Sequence, residues 1–158
     1  MSQKAGPVRE GFHNLTPCLV VNDANKAIEF YTKVFGAKEN YRNHAPNDKS
    51  IMYAELSIGD SKLILSDEFR DMGSLSPLTI GKTPVSIYLY VDDADRTFDL
   101  AVSEGANVIM KMTDTFWGDR WGQLRDPFGH IWSIATHKKN VTPEEMEKAA
   151  KSEKQVNE

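Results

Sequence analysis

The chain is poor in cysteine, in basic charge and in long apolar runs, and each shortage excludes a class of protein. Cys18 is the single cysteine among 158 residues, which excludes an internal disulfide framework and a cysteine-rich metal site and favours a reducing, cytoplasmic location. Lys and Arg number 19 against 23 Asp and Glu, so the net charge of -4 disfavours general nucleic-acid binding. No apolar run approaches the roughly 20 residues of a transmembrane helix, so no membrane partner is expected.

Several catalytic and targeting motifs are also missing from the sequence. Neither a G-x-G-x-x-G stretch nor a Walker-type loop is present, and no Ser-His-Asp or Cys-His spacing is recognisable. The first 14 residues have no apolar core, so no secretory signal is expected. The catalytic residues, if any exist, are therefore unknown at this level.

The first half of the chain alternates between strand and helix patterns. A helix is predicted over 24–35, because Ala27, Ile28, Tyr31, Val34 and Phe35 recur at spacings of three and four. Asp23 is placed to cap its start, and Gly36 to end it. Strands are predicted over residues 15–21, 37–42, 51–58 and 62–66, with a turn at Gly59-Asp60 and a long loop over 67–84.

The second half repeats this order. It predicts strands over 85–91, 108–112, 123–125 and 131–136, a helix over 94–104 and a loop over 113–122. Beyond His137 the chain is charged, and Thr142-Pro143-Glu144-Glu145 is typical of a helix start. The segment VNDANKAIEFYTKVFGA aligns with VDDADRTFDLAVSEGA, and Asp23 and Asp93 are 70 residues apart, which indicates an internal duplication.

Together with the closing RDPFGHIWSIATH, these segments resemble the vicinal oxygen chelate superfamily, which includes glyoxalase I, extradiol dioxygenases and bleomycin-resistance proteins. The stretch FWGDRWGQLRDPFGHIW looks most like its PhnB-like branch. The resemblance implies an α+β fold of two tandem βαβββ modules, forming a curled mixed sheet around a central cavity, and a homodimer. The expected layout is a flexible leader (1–12), one domain (13–137, modules about 13–68 and 84–137) and a charged C-terminal helix and tail (138–158).

In catalytic members of that family, four strand side chains bind a divalent metal in the cavity. By register, the corresponding positions here are Thr16, Ile64, Ser86 and Ser133. Sites for such metals are built from carboxylates and imidazoles, so hydroxyls and an isoleucine predict no metal and no cofactor. A metal site remains open only through Glu55, His13 or His130 acting from other positions.

Strand alternation predicts which side chains line the cavity. If Thr16 and Ser86 face inward, their neighbours Leu19, Val21, Ile87, Leu89 and Val91 face the helices. The side chains predicted to bind a ligand from the strands are Thr16, Cys18, Ile64, Ser86, Tyr88, Tyr90 and Ser133.

The predicted 113–122 loop adds Trp117, Arg120 and Trp121 to the ligand-binding set. The two tryptophans either stack against the ligand or only cover apolar surface of the protein. Arg120 has two interpretations. Its guanidinium binds a ligand anion through two hydrogen bonds, or it is a solvated charge or an ion pair with Asp119 or Asp114. Glu55 is either an exposed strand residue or a candidate general base, and His137 is expected at the surface.

Three functions stay open on these grounds. The first is metal-free binding of a small aromatic or amphipathic molecule, as in a bleomycin-resistance-like protein. The second is a metal-independent enzyme, and the third is a metal-dependent lyase, isomerase or dioxygenase of the same superfamily. The ligand positions disfavour the third, so whether the chain is an enzyme stays undecided.

Overall fold

The computed structural model describes residues 4–47 and 49–156 and divides into two compact units, Met1–Thr83 and Pro84–Glu158. Each unit contains one four-stranded sheet, and the two sheets have the same topology. No helix in the described ranges is both long and apolar enough to cross a membrane.

The first unit has the order βαβββ. Its sheet, called sheet 1, has the strand order β1-β4-β3-β2; β1 is parallel to β4 and the other pairs are antiparallel. The elements are β1 (Cys18–Val21), α1 (Ala24–Phe35), β2 (Lys38–His44), β3 (Ile51–Ile58), β4 (Ser61–Asp67), a 3₁₀ turn (Arg70–Met72) and α2 (Pro77–Ile80).

The second unit repeats this plan. Its sheet, called sheet 2, has the order β5-β8-β7-β6, with β5 parallel to β8. The elements are β5 (Ser86–Tyr90), α3 (Ala94–Ser103), β6 (Asn107–Asp114), β7 (Asp119–Arg125), β8 (Ile131–His137) and α4 (Pro143–Val156). The predicted α+β fold of tandem βαβββ modules is confirmed.

Local sequence signals explain the two module helices. Asp23 accepts a hydrogen bond from the Lys26 amide, and Asp93 does the same for Arg96, so each helix begins at the predicted residue. Gly36 adopts φ 66°, the left-handed conformation that ends α1. The five apolar residues that predicted the face of α1 are all buried, and α4 begins with the predicted pair of hydrogen bonds between Thr142 and Glu145.

Each sheet has one face that packs on its module helix and an opposite face, called the far face. In sheet 1 the helix-facing side chains are buried aliphatics: Leu19, Val21, Ala54, Leu56, Leu63 and Leu65. In sheet 2, α3 packs on β7 and β8, where Leu124, Trp132 and Ile134 are buried. Trp132 is therefore a core residue.

The first strand is shorter than predicted. It begins at Cys18 rather than at residue 15, and Leu15 is 91% exposed. Pro17 has no N–H to donate to a strand neighbour, and only its carbonyl is used, as the acceptor for the Ile64 amide at 3.0 Å. Thr16 therefore lies two residues before the strand.

The loop predicted over 113–122 is the largest error in the sequence interpretation. Strand β6 extends to Asp114 and β7 already begins at Asp119, so Trp121 and Arg120 lie on a strand. Gly122 is needed for close packing: a Cβ there would lie 2.5 Å from Sδ of Met112 and 2.9 Å from a ring carbon of Phe98. The glycine at position 122 is therefore explained by close contact with α3 and not by a mobile loop.

Two segments predicted to be loops carry structure. In the leader, Arg9 pairs with Glu55 of sheet 1 and the Phe12 ring lies beneath the Lys62 ammonium, while residues 1–3 lie outside the described part of the chain. Within 67–84, Ser76 caps α2 and Pro77 occupies its first turn. This helix start was missed because the glycines and prolines of the stretch predicted a loop.

Candidate functional site

A group of aromatic side chains lies on the far face of sheet 2. Tyr88 and Tyr90 project from β5, and the strand register places Ser133 and then Gln123 beside Tyr88. The next row places Ala135 and Trp121 beside Tyr90. The predicted site residues Ser86, Tyr88, Tyr90, Trp121 and Ser133 thus share this face, because they alternate with helix-facing residues.

The aromatic rings are close to one another yet open to a ligand. The ring centres of Tyr88 and Tyr90 are 5.2 Å apart, and those of Trp117 and Trp121 are 6.0 Å apart. Tyr88 is 42% exposed and Tyr90 58% exposed, which is high for large aromatic residues. Trp117 joins the two pairs, since its Nε1 donates to the Tyr88 hydroxyl at 3.1 Å. We call Tyr88, Tyr90, Trp117 and Trp121 the aromatic cluster.

A buried carboxylate organises the aromatic cluster. Asp119 is 2% exposed, and its Oδ2 accepts hydrogen bonds from Tyr88 at 2.7 Å, Tyr90 at 2.9 Å and Trp117 at 3.2 Å. Its Oδ1 is 2.8 Å from Nδ1 of His137 on the neighbouring strand. The Asp119 backbone is fixed as well, because its amide donates to the Thr115 hydroxyl.

These contacts keep Asp119 ionised and the phenols neutral. Burial opposes the charge of Asp119, but hydrogen bonds from His137, Tyr88 and Tyr90 outweigh it and hold its pKa below the usual value. Burial and the Asp119 hydrogen bond raise the pKa of Tyr88 far above its ordinary value. The hydrogen bond to Asp119 and, to a smaller extent, burial raise the pKa of Tyr90.

His137 lies between two oxygen acceptors, an arrangement that favours its protonated form. Its Nδ1 meets the Asp119 carboxylate and its Nε2 meets Oδ1 of Asn140 at 2.8 Å, and both of these oxygens can only accept. Donation from both ring nitrogens requires the imidazolium, so these contacts stabilise the protonated ring. The hydrogen bonds to Asn140 and Asp119 accordingly raise the pKa of His137.

Trp121 contributes its ring to the cluster but leaves one donor unused. Its Nε1 is buried and has no hydrogen-bond partner among the described residues. An unpaired buried N–H lowers the free energy of unfolding, so the Trp121 indole occupies this position at a cost in stability.

Arg120 does not join the aromatic cluster, contrary to the sequence-based grouping. It alternates with Asp119 and Trp121 along β7 and so points to the α3 side. There its guanidinium pairs with Asp95 at 3.0 Å and with Asp114 at 3.4 Å. The alternative of an ion pair is therefore the one observed, with Asp114 as expected and with Asp95 in place of Asp119.

The far face of sheet 1 brings other predicted residues together. Cys18, Ile64, Glu55 and Tyr41 follow one another across the four strands in register. An open pocket of about 490 Å³ lies on this face and is lined by Arg9, Glu10, Phe12, Asn40, Tyr41, Tyr53, Glu55 and Lys62.

Glu55 is not the exposed strand residue of the first interpretation, since it is only 4% exposed. Arg9 donates to it at 2.8 Å and the Tyr53 hydroxyl at 2.7 Å. The ion pair with Arg9, more than burial, sets its pKa, which is lowered. A carboxylate stabilised in its charged form is a weak general base, which argues against that alternative.

The four positions where the family binds a metal do not fit one here. Thr16 and Ile64 belong to the first unit, and Ser86 and Ser133 to the second. Ser133 is buried and accepts a hydrogen bond from Nε2 of Gln123 at 3.2 Å. Neutral hydroxyls and an aliphatic side chain are poor ligands for divalent ions, and no group of three His, Cys, Asp or Glu side chains in the described residues could hold one.

The sequence interpretation missed Asp119 and assigned His137 only to the surface. A usable signal was present: Asp119, Trp121 and Gln123 alternate, as residues on one strand face do. The two glycines around this segment obscured it, because they favour a loop.

Comparisons with known proteins agree with the fold. A model of the Glyoxalase/Bleomycin resistance protein/Dioxygenase superfamily matches residues 11–134. The uncharacterized protein Mb0911c of Mycobacterium bovis is 40% identical over 142 residues, which are 88% of this chain and 93% of that protein.

Solved structures show the same architecture. Protein PA1353 from Pseudomonas aeruginosa matches with a TM-score of 0.65 and 25% identity over 79% of this chain and 98% of its own. The PhnB protein from Bacillus cereus matches with a TM-score of 0.61 and 16% identity, covering 78% and 99%. The second likeness is one of fold.

Proposed function

Since the chain belongs to the Glyoxalase/Bleomycin resistance protein/Dioxygenase superfamily, we propose that it binds a small planar aromatic or amphipathic molecule, without a metal, at the aromatic cluster of sheet 2. The observation that carries this proposal is the exposure of Tyr88 and Tyr90 on a sheet face whose polar groups are bonded to Asp119. Exposed aromatic rings held in fixed orientations lose little entropy when a ligand stacks on them.

The chemistry of the four family metal positions supports the metal-free form. Thr16, Ile64, Ser86 and Ser133 offer hydroxyls and a hydrocarbon, so the ligand is held by stacking and hydrogen bonding. No step of the proposed function therefore passes through a metal.

The experiment is a titration of intrinsic tryptophan fluorescence with a set of two- and three-ring aromatic compounds. Trp117→Ala and Tyr90→Ala should each weaken binding about tenfold, since an aromatic contact and its buried area are lost. Val108→Ala is the matched control, because Val108 is a similarly exposed apolar residue on the edge strand β6. If no compound changes the fluorescence, or if the cluster variants bind as the parent does, the proposal is wrong.

A metal-independent enzyme is the second candidate, and the pair of His137 and Asp119 favours it. An imidazolium oriented by a buried carboxylate is suited to proton transfer. Mass spectrometry of a bound compound after incubation tests this: turnover that His137→Gln abolishes while binding persists supports an enzyme. Recovery of the compound unchanged contradicts it.

The homodimer implied by the resemblance and the cytoplasmic location inferred from the single cysteine belong to this proposal. Sedimentation equilibrium of the full chain tests the first, and a monomer across the micromolar range would contradict it. Fractionation of the source cells tests the second, and recovery outside the cytoplasmic fraction would contradict it.

A further inference from the structure

The hydrogen bonds and charges around the aromatic cluster favour one class of ligand. We propose that it selects organic cations, meaning planar or alkylated ammonium compounds, over neutral and anionic molecules of the same shape. This inference rests on the proposed function, because it concerns the same site. It follows from the direction of the hydrogen bonds, from the surface the rings present and from the charges around them.

The polar hydrogens of the two phenols and of Trp117 point into the protein. An ionised carboxylate has no hydrogen to give, so the Tyr88 and Tyr90 hydroxyls must donate to Asp119. Trp117 Nε1 donates to the same oxygen and to Tyr88. Both nitrogens of His137 are also engaged, with Asp119 and Asn140.

The exposed phenols consequently offer a ligand acceptors, while the unpaired Nε1 of Trp121 is buried. The Tyr90 oxygen has given its hydrogen to Asp119, so toward a ligand it offers lone pairs alone. The ring faces of Tyr88 and Tyr90 carry the negative side of the aromatic quadrupole. A cation over such faces is attracted, whereas an anion meets the same electron density and phenol oxygens whose hydrogens are already donated to Asp119.

The nearby charges agree with this polarity. Asp119 lies directly behind the two phenols, and among the described residues its carboxylate forms an ion pair with the half-exposed His137. Of the two arginines on β7, Arg120 lies on the opposite face and is occupied by Asp95 and Asp114. Arg125 shares the far face, in the row of Ser86 beyond Tyr88. An anionic ligand stacked on Tyr90 would therefore lie two rows from Arg125, the guanidinium that β7 carries on this face.

The test uses three compounds of one shape on the full chain: N-methylquinolinium as cation, methylnaphthalene as neutral analogue and naphthoate as anion. Fluorescence titration should show the cation binding about tenfold more tightly than the neutral analogue, with the anion weakest. Equal affinities, or tighter binding of the neutral or anionic compound, would overturn the inference and leave the proposed function standing. Failure of all three to bind would overturn both.

Variants tie the selectivity to the named groups. Tyr90→Phe keeps the ring and removes the acceptor oxygen, so the preference for the cation should fall while methylnaphthalene binds as before. Asp119→Asn should reduce the preference further, and Tyr90→Phe remains decisive if Asp119→Asn does not fold. Arg120→Gln is the matched control on the other face, and a change in selectivity there that equals the change in Tyr90→Phe would contradict the assignment.

Discussion

Asp119 and His137 lie opposite each other on the antiparallel strands β7 and β8 and form an ion pair, with 2.8 Å between Oδ1 and Nδ1. The two partners differ in exposure: the Asp119 side chain is 1% exposed and that of His137 is 49% exposed. The carboxylate is thus held from the solvent side by His137 and from the sheet face by two phenols. This relationship fixes the orientation of Tyr88 and Tyr90, on which the proposed binding depends.

Replacing Asp119 should destabilise the protein substantially. Asp119→Asn keeps the shape but removes the charge that accepts four hydrogen bonds, and the new amide hydrogens would face donors. We expect a loss of about 3 kcal/mol in the free energy of unfolding, measured by urea denaturation. Asp114→Asn, at an exposed position on the neighbouring strand, is the control and should change stability by less than about 1 kcal/mol. Equal losses in the two variants would contradict the role of Asp119.

Stability should depend on pH through the same pair. The folded pKa of His137 is raised above 6.5, so its contribution is complete below that pH and is lost as the pH rises through the folded pKa. The folded pKa of Asp119 is lowered, so its contribution is present above about pH 4 and is lost as the pH falls through the folded value. Urea unfolding should therefore show the pair's contribution at its greatest between about pH 4 and 6.5.

Two substitutions separate this effect from other titrations. His137→Gln should flatten the decline in stability above pH 6.5, whereas His13→Gln, at an exposed residue before β1, should leave it unchanged. A pH profile that is the same for His137→Gln and the parent would show that the pair does not contribute.

The sequence could predict the fold because its signals were local and consistent. The caps Asp23 and Asp93 and the apolar spacing of α1 define the helices without reference to the rest of the chain. The alternation along β5 placed Tyr88 and Tyr90 on the face opposite α3 in the same way.

The centre of the site was hidden because it depends on contacts distant in sequence. Gly122 looks like a loop residue until Phe98 of α3 is seen to pack on it. Glu55 looks exposed until Arg9, 46 residues away, is placed over it. The role of Asp119 is visible only when β5, β7 and β8 are aligned, and a single sequence does not give the register between these strands.

Arg120 should matter little for binding. Arg120→Gln breaks two partly exposed ion pairs on the α3 side and should lower the free energy of unfolding by less than about 1 kcal/mol. Fluorescence titration with N-methylquinolinium should give the parent affinity. A tenfold loss would mean that the guanidinium reaches the ligand, as the fork interpretation of the sequence held.

Gly122 should not tolerate a side chain. Gly122→Ala would force a methyl group against Met112 and Phe98, and we expect a loss of about 1–3 kcal/mol in the free energy of unfolding. Gly6→Ala is the control, since the nearest atom to its Cβ would be 3.7 Å away. Thermal or urea unfolding distinguishes them, and an unchanged Gly122→Ala protein would contradict the packing of β7 on α3.

A crystal structure of the full chain grown with N-methylquinolinium tests the central claim most directly. The account predicts the ligand ring in contact with Tyr88 and Tyr90, within about 4 Å, and the Tyr90 hydroxyl still bonded to Asp119. A ligand seated instead in the sheet 1 pocket between Phe12 and Glu55, with the aromatic cluster untouched, would contradict it.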